Sequence, residues 1–421
     1  MIEFKKYKLR ELASVDISSV DKKTKEGEIP VRLCNFTDVY KNWAIRTHMY
    51  DSFMKATAKQ KDIDKFSIKK GQVAITKDSE TRDDIGIPTY IADDFNNVVL
   101  GYHCALITPH ENFCGAYLNA YLNTKMAKKY FEGYASGSGQ RYTLTLDSIN
   151  EIQIWAPEEK EDQERIVKVL NDIDQKIILN TRINAELEAM AKQLYDYWFV
   201  QFDFPDENGK PYKSSGGKMV WNEKLKREIP EGWEVKDLNF FANTPKESIT
   251  PYNYPEKTFK HYSIPAYDEC GTYLQEPGSS IQSDKFIVKE GQILVPKLNP
   301  WYNRVLYVNN SDDSICSTEF VIFDVYEEYT KGYLYFVVKS ESFINYCTKS
   351  STGTSHSQRR VNPDILKGFC VPYNKKIVKL YSSKVMPCIL KMYKNTDLNK
   401  STIKLRDSLL PMLMNGQVTI E

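Results

Sequence analysis

Two pairs of polar loops carry the side chains of this sequence that could do chemistry. The loops "TKDSETR" (76–82) and "PKLNPWYNR" (296–304) follow short apolar runs, and between them they combine Lys, Arg, Asn and aromatic residues. The loops "ASGSGQRY" (135–142) and "SSTGTSHSQRR" (350–360) supply small residues for close backbone approach, together with Gln and Arg. Because Arg and Gln side chains pair with guanine and adenine edges, these loops indicate contact with nucleic-acid bases. The alternative is that they are solvated turns.

The candidate contact residues are polar and aromatic side chains of these four loops. We expect each to contact a base edge or a phosphate group. They are Lys77, Arg82, Ser138, Gln140, Arg141, Tyr142, Lys297, Asn299, Trp301, Tyr302, Arg304, Ser355, His356, Gln358, Arg359 and Arg360.

The motifs that would place catalysis or a cofactor on this chain are missing from the sequence. No GxxxxGK[ST] phosphate loop is present, and "LNPWY" (298–302) lacks the second proline of an NPPY-like methyltransferase tetrad. No pair of the eight cysteines has CxxC spacing, and the five histidines show no metal-ligand spacing. We therefore predict no catalytic residue, no metal site and no bound cofactor.

The bulk composition describes an ordinary globular protein rather than a generally basic one. Lys and Arg number 57 against 56 Asp and Glu, so any nucleic-acid surface must be local. The start "MIEFKKYKLR" has no apolar run typical of a signal peptide, and no stretch approaches the length of a membrane span. With scattered cysteines, these features predict a cytoplasmic protein with no membrane partner.

One stretch of the sequence occurs twice. "DKFSIKKGQVAITK" (64–77) and "DKFIVKEGQILVPK" (284–297) share seven of fourteen positions and lie 220 residues apart. That distance is too long for a solenoid, whose periods are about 20–50 residues, and it indicates duplication of a domain-sized unit.

The repeat extends over further matching segments. A helical pattern at 115–134 parallels one at 329–347, and each precedes one of the small-residue loops. Apolar alternation at 143–157 parallels that at 359–372, which predicts a strand in each copy.

A long helix follows each copy. Residues 158–200 contain neither Gly nor Pro and show an unbroken 4-3-4-3 apolar spacing, which is typical of a coiled-coil seam. Adding 215 to each seam position places a second, more polar seam in 373–415, with its two asparagines at the same places. The seam residues are Ile166, Leu170, Ile177, Asn180, Asn184, Leu187, Leu194, Trp198, Val385, Met392, Asn395, Asn399, Leu409 and Leu413.

The asparagines and the domain order indicate that the two helices pair antiparallel. A parallel pair would also match the asparagines, but it would crowd both domains together at one end, because each domain is joined to the N-terminal end of its helix. In the antiparallel arrangement Asn180 faces Asn399 and Asn184 faces Asn395, so each buried amide satisfies its partner and fixes the register. The alternative is that the asparagines face solvent and the helices do not meet. Pro387 is expected to kink or break the second helix, which also begins with lysines where the helix dipole prefers acids.

The predicted fold class is α+β with an internal repeat of pseudo-two-fold symmetry. Two similar mixed α/β domains are separated by a pair of long antiparallel coiled-coil helices. The predicted boundaries are domain 1 at 1–157, first spacer helix at 158–200, linker at 201–232, domain 2 at 233–372 and second spacer helix at 373–415.

Over essentially its whole length, the chain resembles the specificity subunits of type I restriction–modification systems. The duplicated order of domain and helix carries the resemblance, and so does the passage from "EDQERIVKVLNDIDQ" to "YDYWFVQFDFP" (161–205). The segments "NGKPYKSSGGKMVW" and "IPEGWEVKDL" are also similar, whereas the acidic start usual for the second helix is replaced by lysines.

The resemblance implies a DNA-binding subunit that does no chemistry itself. Each domain would be a target-recognition domain reading one half of a bipartite, asymmetric site in double-stranded DNA. The helices would dock two adenine-methyltransferase (modification) subunits, and motor-nuclease (restriction) subunits would join outside. S-adenosylmethionine and ATP are then expected only on those partners. The alternative is a scaffold or adaptor that joins protein partners through its helical hairpin without reading DNA.

Overall fold

The computed structural model describes residues 2–137, 139–310, 312–353 and 358–418. It divides into two compact units, one with the residues up to Ile177 and from Thr402 onward, the other spanning Ile178–Ser401. The predicted contact residues Ser138, Ser355 and His356 lie outside the described residues.

The first unit is built on a five-stranded mixed sheet with helices packed against it. In spatial order its strands are Ala13–Ile17, Cys104–Pro109, Val73–Thr76, Pro88–Ile91 and Ala44–Ile45. Smaller sheets join Met54–Ala58 with Ile29–Cys34 and Val98–Leu100, Phe4–Lys8 with Gln153–Pro157, and Ser136–Gly137 with Tyr142–Thr143 and Asp78–Ser79. The α-helices are Leu9–Leu12, Phe36–Lys41, Gln60–Phe66, Gly115–Leu122, Lys125–Tyr134 and Leu146–Asn150, with a 3-10 turn at Thr47–Ser52.

The second unit contains a related set of strands and helices. One sheet orders Ser248–Ile249, Lys285–Ile287, Ser314–Ser317, Thr258–Tyr262 and Tyr273–Pro277, and another orders Ala242–Asn243, Phe320–Val325, Ile293–Pro296 and Leu306–Tyr307. Two-stranded sheets join Glu234–Asp237 with Cys370–Tyr373 and, within the predicted linker, Met219–Asn222 with Arg227–Pro230. The shorter α-helices are Ile264–Cys270, Lys331–Lys339, Glu341–Lys349 and Pro363–Lys367, and 3-10 turns lie at Leu238–Phe240, Pro251–Asn253, Gly278–Ser280, Pro300–Tyr302 and Glu328–Thr330.

The repeated Gly-Gln pair forms the same turn in both units. Gly71 and Gly291 have φ of +94° and +88°, a backbone conformation that favours glycine. The next residue, Gln72 or Gln292, accepts a hydrogen bond on Oε1 from the backbone N–H three residues earlier, at 2.7 and 2.8 Å. The repeated sequence is therefore explained by one turn that leads into one strand.

Two further contacts recur in both copies. Thr124 and Ser340 each cap the second of two consecutive helices, accepting a hydrogen bond from the backbone N–H three residues on. The hydroxyls of Tyr117 and Tyr333 donate to the carbonyls of Trp155 and Pro372 at 2.8 and 2.6 Å. Each helical segment that the sequence predicts as continuous is thus two helices. At the junction, a side-chain hydroxyl replaces a backbone carbonyl as the acceptor for a helix N–H group.

The strand predicted from alternation at 143–157 and 359–372 is only partly correct. In each copy a short helix, Leu146–Asn150 or Pro363–Lys367, precedes a strand that carries the rest of the pattern. Thr145 and Asn362 cap these helices through their side chains. The N-capping side chains therefore favour a short helix over the first half of each segment, where apolar alternation had predicted a strand.

The two long helices run antiparallel. The first spans Lys160–Tyr195 and continues as one π-helical turn, Asp196–Val200, while the second spans Lys375–Met414. Within the second unit, Asn180 Nδ2 donates to Asn399 Oδ1 at 2.8 Å, and Asn395 Nδ2 donates to Asn184 Oδ1 at 2.9 Å. Farther along the same pair, the rings of Trp198 and Tyr381 lie 6.0 Å apart. Partners descend in number on one helix as they ascend on the other.

Of the kink or break predicted at Pro387, the break does not occur, because the second helix is continuous across it. The helix continues through Pro387 and Pro411. Both prolines are exposed, so water can donate hydrogen bonds to the backbone carbonyls that lose their N–H donor to proline. Asn374 offsets the unfavourable lysines at its start, because its Oδ1 accepts hydrogen bonds from the N–H groups of Lys376 and Ile377 at 3.1 and 3.2 Å.

The amide pair at Asn395 should be worth more to stability than the one at Asn399. Asn395 is 2% exposed, so Asn395→Ala leaves Asn184 Oδ1 without its buried donor and should lower the free energy of unfolding by about 1–3 kcal/mol. Asn399→Ala is the matched control at a half-exposed position, where water replaces the lost bond. Urea unfolding followed by circular dichroism of the helices measures both, and equal losses would contradict the expectation.

Candidate nucleic-acid interface

In the first unit, backbone hydrogen bonds bring the predicted loops together. The N–H of Lys77, directly after strand Val73–Thr76, donates to the carbonyl of His103 at 2.7 Å, and its own carbonyl accepts from Leu144 N–H at 2.9 Å. Tyr142 also pairs with Ser79 in the small three-stranded sheet. The loops at 76–82 and 135–142 therefore form one surface, which also includes His103.

A buried carboxylate organises the cations of this surface. Asp78 accepts a hydrogen bond from Lys77 Nζ at 2.9 Å and contacts His103 Nδ1, while Arg141 Nη2 lies 2.8 and 2.9 Å from the two ring nitrogens of His103. Lys77 Nζ also donates to Thr143 Oγ1 at 3.1 Å. Lys77 is therefore used internally, whereas Arg141 remains exposed.

The ionised form of Asp78 is favoured despite its burial. Desolvation by burial acts to raise the pKa of the Asp78 carboxyl, but hydrogen bonds from Thr143, His103 and Lys77 together outweigh it. The pKa of Asp78 consequently lies below its ordinary value, and the network retains its negative centre at neutral pH.

The other predicted residues of the first unit lie on the same surface. Arg82 donates from Nη2 to the carbonyl of Ala135 at 3.0 Å, and its guanidinium lies 5.7 Å from the ring centroid of Tyr142. Gln140 is exposed. An added Cβ at Gly137 would lie 2.0 Å from the carbonyl oxygen of Arg141, so this hairpin requires glycine there.

An open cleft of about 700 Å³ lies beside these residues. Carboxylates that were not among the predicted contact residues line it beside Arg141, and so its surface is of mixed charge. Its lining residues are Phe36, Tyr40, Asp78, Ser79, Glu80, Thr81, Asp84, His103, Gln140 and Arg141.

His103 was missed as a site residue because it lies outside the four polar loops and has no metal-ligand spacing. It lies in a turn between two strands that the sequence showed as one apolar run, with φ of +76°. A polar Tyr-His pair inside that run was the available signal.

The second unit places its predicted loops by the same backbone contacts. The N–H of Lys297 donates to the carbonyl of Glu319 at 2.8 Å, and the carbonyl of Lys297 accepts from Val361 N–H at 3.0 Å. Asn299, with φ of +48°, is bonded to Arg359 through its N–H at 2.8 Å and through Oδ1 at 3.1 Å. The loops at 296–304 and 350–360 are thereby joined.

Each arginine of the second loop pair has an acceptor within its own unit. Arg304 donates to both carboxylate oxygens of Asp268, at 2.7 and 2.8 Å, and lies 4.3 Å from the ring of Tyr302. Arg359 donates to the carbonyl of Ser351 at 2.7 Å. Arg360 donates to the carboxylate of Glu319 at 3.0 to 3.2 Å.

The aromatic and amide candidates differ in exposure. Tyr302 is 58% exposed, while Trp301 is half-buried with its ring 5.8 Å from that of Tyr302. Gln358 is exposed. Tyr302 and Gln358 are therefore available to a ligand, and Trp301 supports the loop.

Comparison with known proteins shows similarity to one family. Residues 1–189 match the family model of the type I restriction modification DNA specificity domain. The chain is 24% identical over 416 residues to the type I restriction enzyme HindI specificity subunit of Haemophilus influenzae, covering 84% of this chain and 88% of the relative. It is 25% identical over 361 residues to the MjaIX specificity subunit of Methanocaldococcus jannaschii, covering 79% and 76%. Over most of its length, the chain is therefore similar to type I restriction–modification specificity subunits.

A solved structure supports the fold of this chain. The type I restriction-modification S subunit from M. genitalium aligns with a TM-score of 0.58 at 15% identity, covering 98% of this chain and 96% of that one. The predicted fold class, mixed α/β domains with long antiparallel helices, is confirmed.

The predicted seam residues lie along the helix pair. None of them is exposed, and Ile166, Leu170 and Leu413 share one apolar cluster in the first unit. In the second unit Trp198 and Val385 belong to another, with Leu194 packed against it. Across the described residues, no set of His, Cys, Asp and Glu side chains has the grouping of a metal site, and no helix there meets the length and hydropathy of a membrane span.

Asp78 should stabilise its loop pair in a pH-dependent way. Because its folded pKa is depressed, the stability that it contributes is present above the unfolded pKa of about 3.9 and is lost as pH falls through the folded pKa. The difference in local opening free energy between the native subunit and Asp78→Asn should thus be constant near neutrality and shrink in acid. Hydrogen exchange of residues 139–144, corrected for intrinsic rates, measures it.

Asp83→Asn is the matched control, since Asp83 is an exposed aspartate of the neighbouring chain segment. The difference in local opening free energy between the native protein and Asp78→Asn is the deciding quantity. If it stays the same from neutral pH down to a pH of about 3, the carboxylate is ruled out as the organising charge.

Proposed function

We propose that this chain is a type I restriction–modification specificity subunit, which reads a bipartite, asymmetric site in double-stranded DNA, one half with each of its two similar recognition domains, and performs no chemistry itself. The proposal rests on matching backbone hydrogen bonds around Lys77 and Lys297, which we call the frame of each loop pair. In both copies the lysine N–H donates to a carbonyl and the lysine carbonyl accepts from the N–H of a residue just after the second loop of the pair. Both frames present a loop pair with exposed Gln and Arg, but the side chains in the two pairs differ. Matched frames with different side chains are what two half-sites of different sequence require.

The exposed polar residues of each loop pair are the proposed base-reading groups. In domain 1 these are Gln140 and Arg141, and in domain 2 they are Gln358 and Arg360, with Tyr302 as an apolar contact. Gln is suited to adenine and Arg to guanine in the major groove. Lys77 and Arg359 are bonded internally and are proposed to position the loops.

The antiparallel helix pair is proposed as the spacer between the half-sites. The Lys160–Tyr195 helix has 36 residues, which corresponds to a length of about 54 Å at 1.5 Å per residue. The paired asparagines support a fixed register, and a fixed register would give a fixed half-site separation.

The helices are also proposed to dock two adenine-methyltransferase (modification) subunits, with restriction subunits joining outside. Support comes from exposed apolar side chains on the second helix: Leu390 and Leu398 are 48% and 41% exposed, and Leu405 and Met412 are 51% and 40% exposed. S-adenosylmethionine and ATP would then be bound by these partners.

Exchanging one domain tests the half-site assignment. Replacing residues 1–157 with the equivalent domain of another specificity subunit should change one half of the methylated sequence and leave the other half intact, because each loop pair would read its own half. Sequencing of methylated adenines in cells expressing the chimaera with its modification subunit measures this. A change in both halves, or in neither, would refute the proposal and favour a scaffold that does not read DNA.

Charges on the second helix should weaken docking of the modification subunit. The double variant Leu390→Glu with Leu398→Glu places two charges where an apolar contact is proposed, and co-purification should fall at least tenfold, since burying an unpaired carboxylate is costly. Ser383→Glu with Ser401→Glu, at exposed positions of the same helix, is the matched control. Equal recovery of the partner with both pairs would place docking elsewhere.

A further inference from the structure

His103 and Glu319 occupy equivalent places in the two recognition domains. Each provides the carbonyl that accepts the N–H of the lysine following the repeated strand, at 2.7 Å for His103 and 2.8 Å for Glu319. Each also contacts, through its side chain, an arginine from the loop that closes the pair, Arg141 in the first domain and Arg360 in the second. The fold therefore places one side chain beside one arginine in each copy, an imidazole in the first domain and a carboxylate in the second.

Glu319 holds Arg360 by one edge of the guanidinium group. Nε lies 3.2 and 3.0 Å from the two carboxylate oxygens, and Nη2 lies 3.1 Å from Oε1. No described residue hydrogen-bonds Nη1, and the Arg360 side chain is 49% exposed. The edge formed by Nη1 and the second hydrogen of Nη2 is therefore available for a bidentate contact.

The backbone of Arg360 is also fixed. Its N–H donates to the carbonyl of Thr352 at 2.8 Å, and its carbonyl accepts from Thr352 N–H at 2.9 Å. With the backbone and one guanidinium edge both held, little conformational freedom remains to be lost when the free edge meets a ligand.

The carboxylate favours a base over a phosphate as that ligand. Glu319 neutralises the charge of Arg360 and would repel a phosphate group, which weakens sequence-independent attraction. It leaves two parallel N–H donors directed outward, and a neutral pair of acceptors such as guanine O6 and N7 matches them. Neither Arg304 nor Arg141 combines these features, because the Arg304 side chain is only 15% exposed and Arg141 lies on an imidazole.

On the basis of the proposed function, we infer that Arg360 reads a guanine in the second half-site and that Glu319 is its positioning residue. Glu319 then determines specificity without touching DNA. Exchanging the residue at this place would alter how the arginine is presented while leaving the loop frame unchanged.

Glu319→Gln separates this role from that of a simple negative charge. The full complex with its modification subunits is titrated against duplexes carrying each base at every position of the second half-site, at several salt concentrations. We expect binding to unrelated duplexes to stay the same or strengthen, because a negative charge is lost. Preference for guanine at one position should fall about tenfold, and the first half-site should be unaffected.

Arg360→Lys tests the reader itself and retains its positive charge. It should lose the preference at the same position, because an ammonium cannot make the bidentate contact. The double variant Glu319→Gln with Arg360→Lys should lose no more of the preference for guanine than Arg360→Lys alone, since Glu319 would act only through Arg360. Glu290→Gln, which removes an exposed carboxylate of the same domain, is the control and should leave the preference intact.

Three outcomes would overturn the inference while the bipartite reading stands. In the first, Glu319→Gln and Glu290→Gln strengthen all binding alike with discrimination unchanged, so Glu319 is only a repelling charge. In the second, Arg360→Lys and Arg360→Ala weaken every sequence uniformly with a shallower salt slope, which marks a phosphate contact. In the third, the preferred base at that position is not guanine. A native complex with no preference anywhere in the second half-site would instead refute the proposed function.

Discussion

The buried amide contact between Asn184 and Asn395 is the constraint on which the helix pair depends. Apolar seam residues can slide past one another at modest cost, because one aliphatic contact replaces another. A buried amide loses its partner in any shifted register, and that loss is not compensated away from water. Within the second unit, this contact and the one between Asn180 and Asn399 therefore fix the register of the two helices.

The internal repeat is conserved where the backbone needs it and varies where the surface is exposed. The Gly-Gln turn, the capped helix junctions and the tyrosine-to-carbonyl bonds occur twice with nearly the same distances. The side chains that line the loop pairs differ between copies, with a histidine in one and a glutamate in the other at the place facing an arginine. The frame and the recognition surface are thus separable within one fold.

Features that depend on local periodicity could be predicted from the sequence, and features that depend on tertiary approach could not. The duplication, both long helices and the facing asparagines follow from spacing alone. The helix junctions at Thr124 and Ser340 were missed because one hydroxyl outweighs a continuous apolar pattern. The partners of Arg304 and Arg360 lie 36 and 41 residues away in sequence, and no local pattern indicates them. The acidic lining of the cleft was missed for the same reason.

Part of the anchoring of the loops beside Lys77 and Lys297 is made by backbone N–H and carbonyl groups. Anchors of this kind are indifferent to the identity of neighbouring side chains, so substitutions in the loops leave the attachment points in place. These backbone anchors are therefore separate from the exposed side chains that differ between the two copies. Exposed loop residues such as Gln140 and Gln358 can change while the backbone attachment points stay in place.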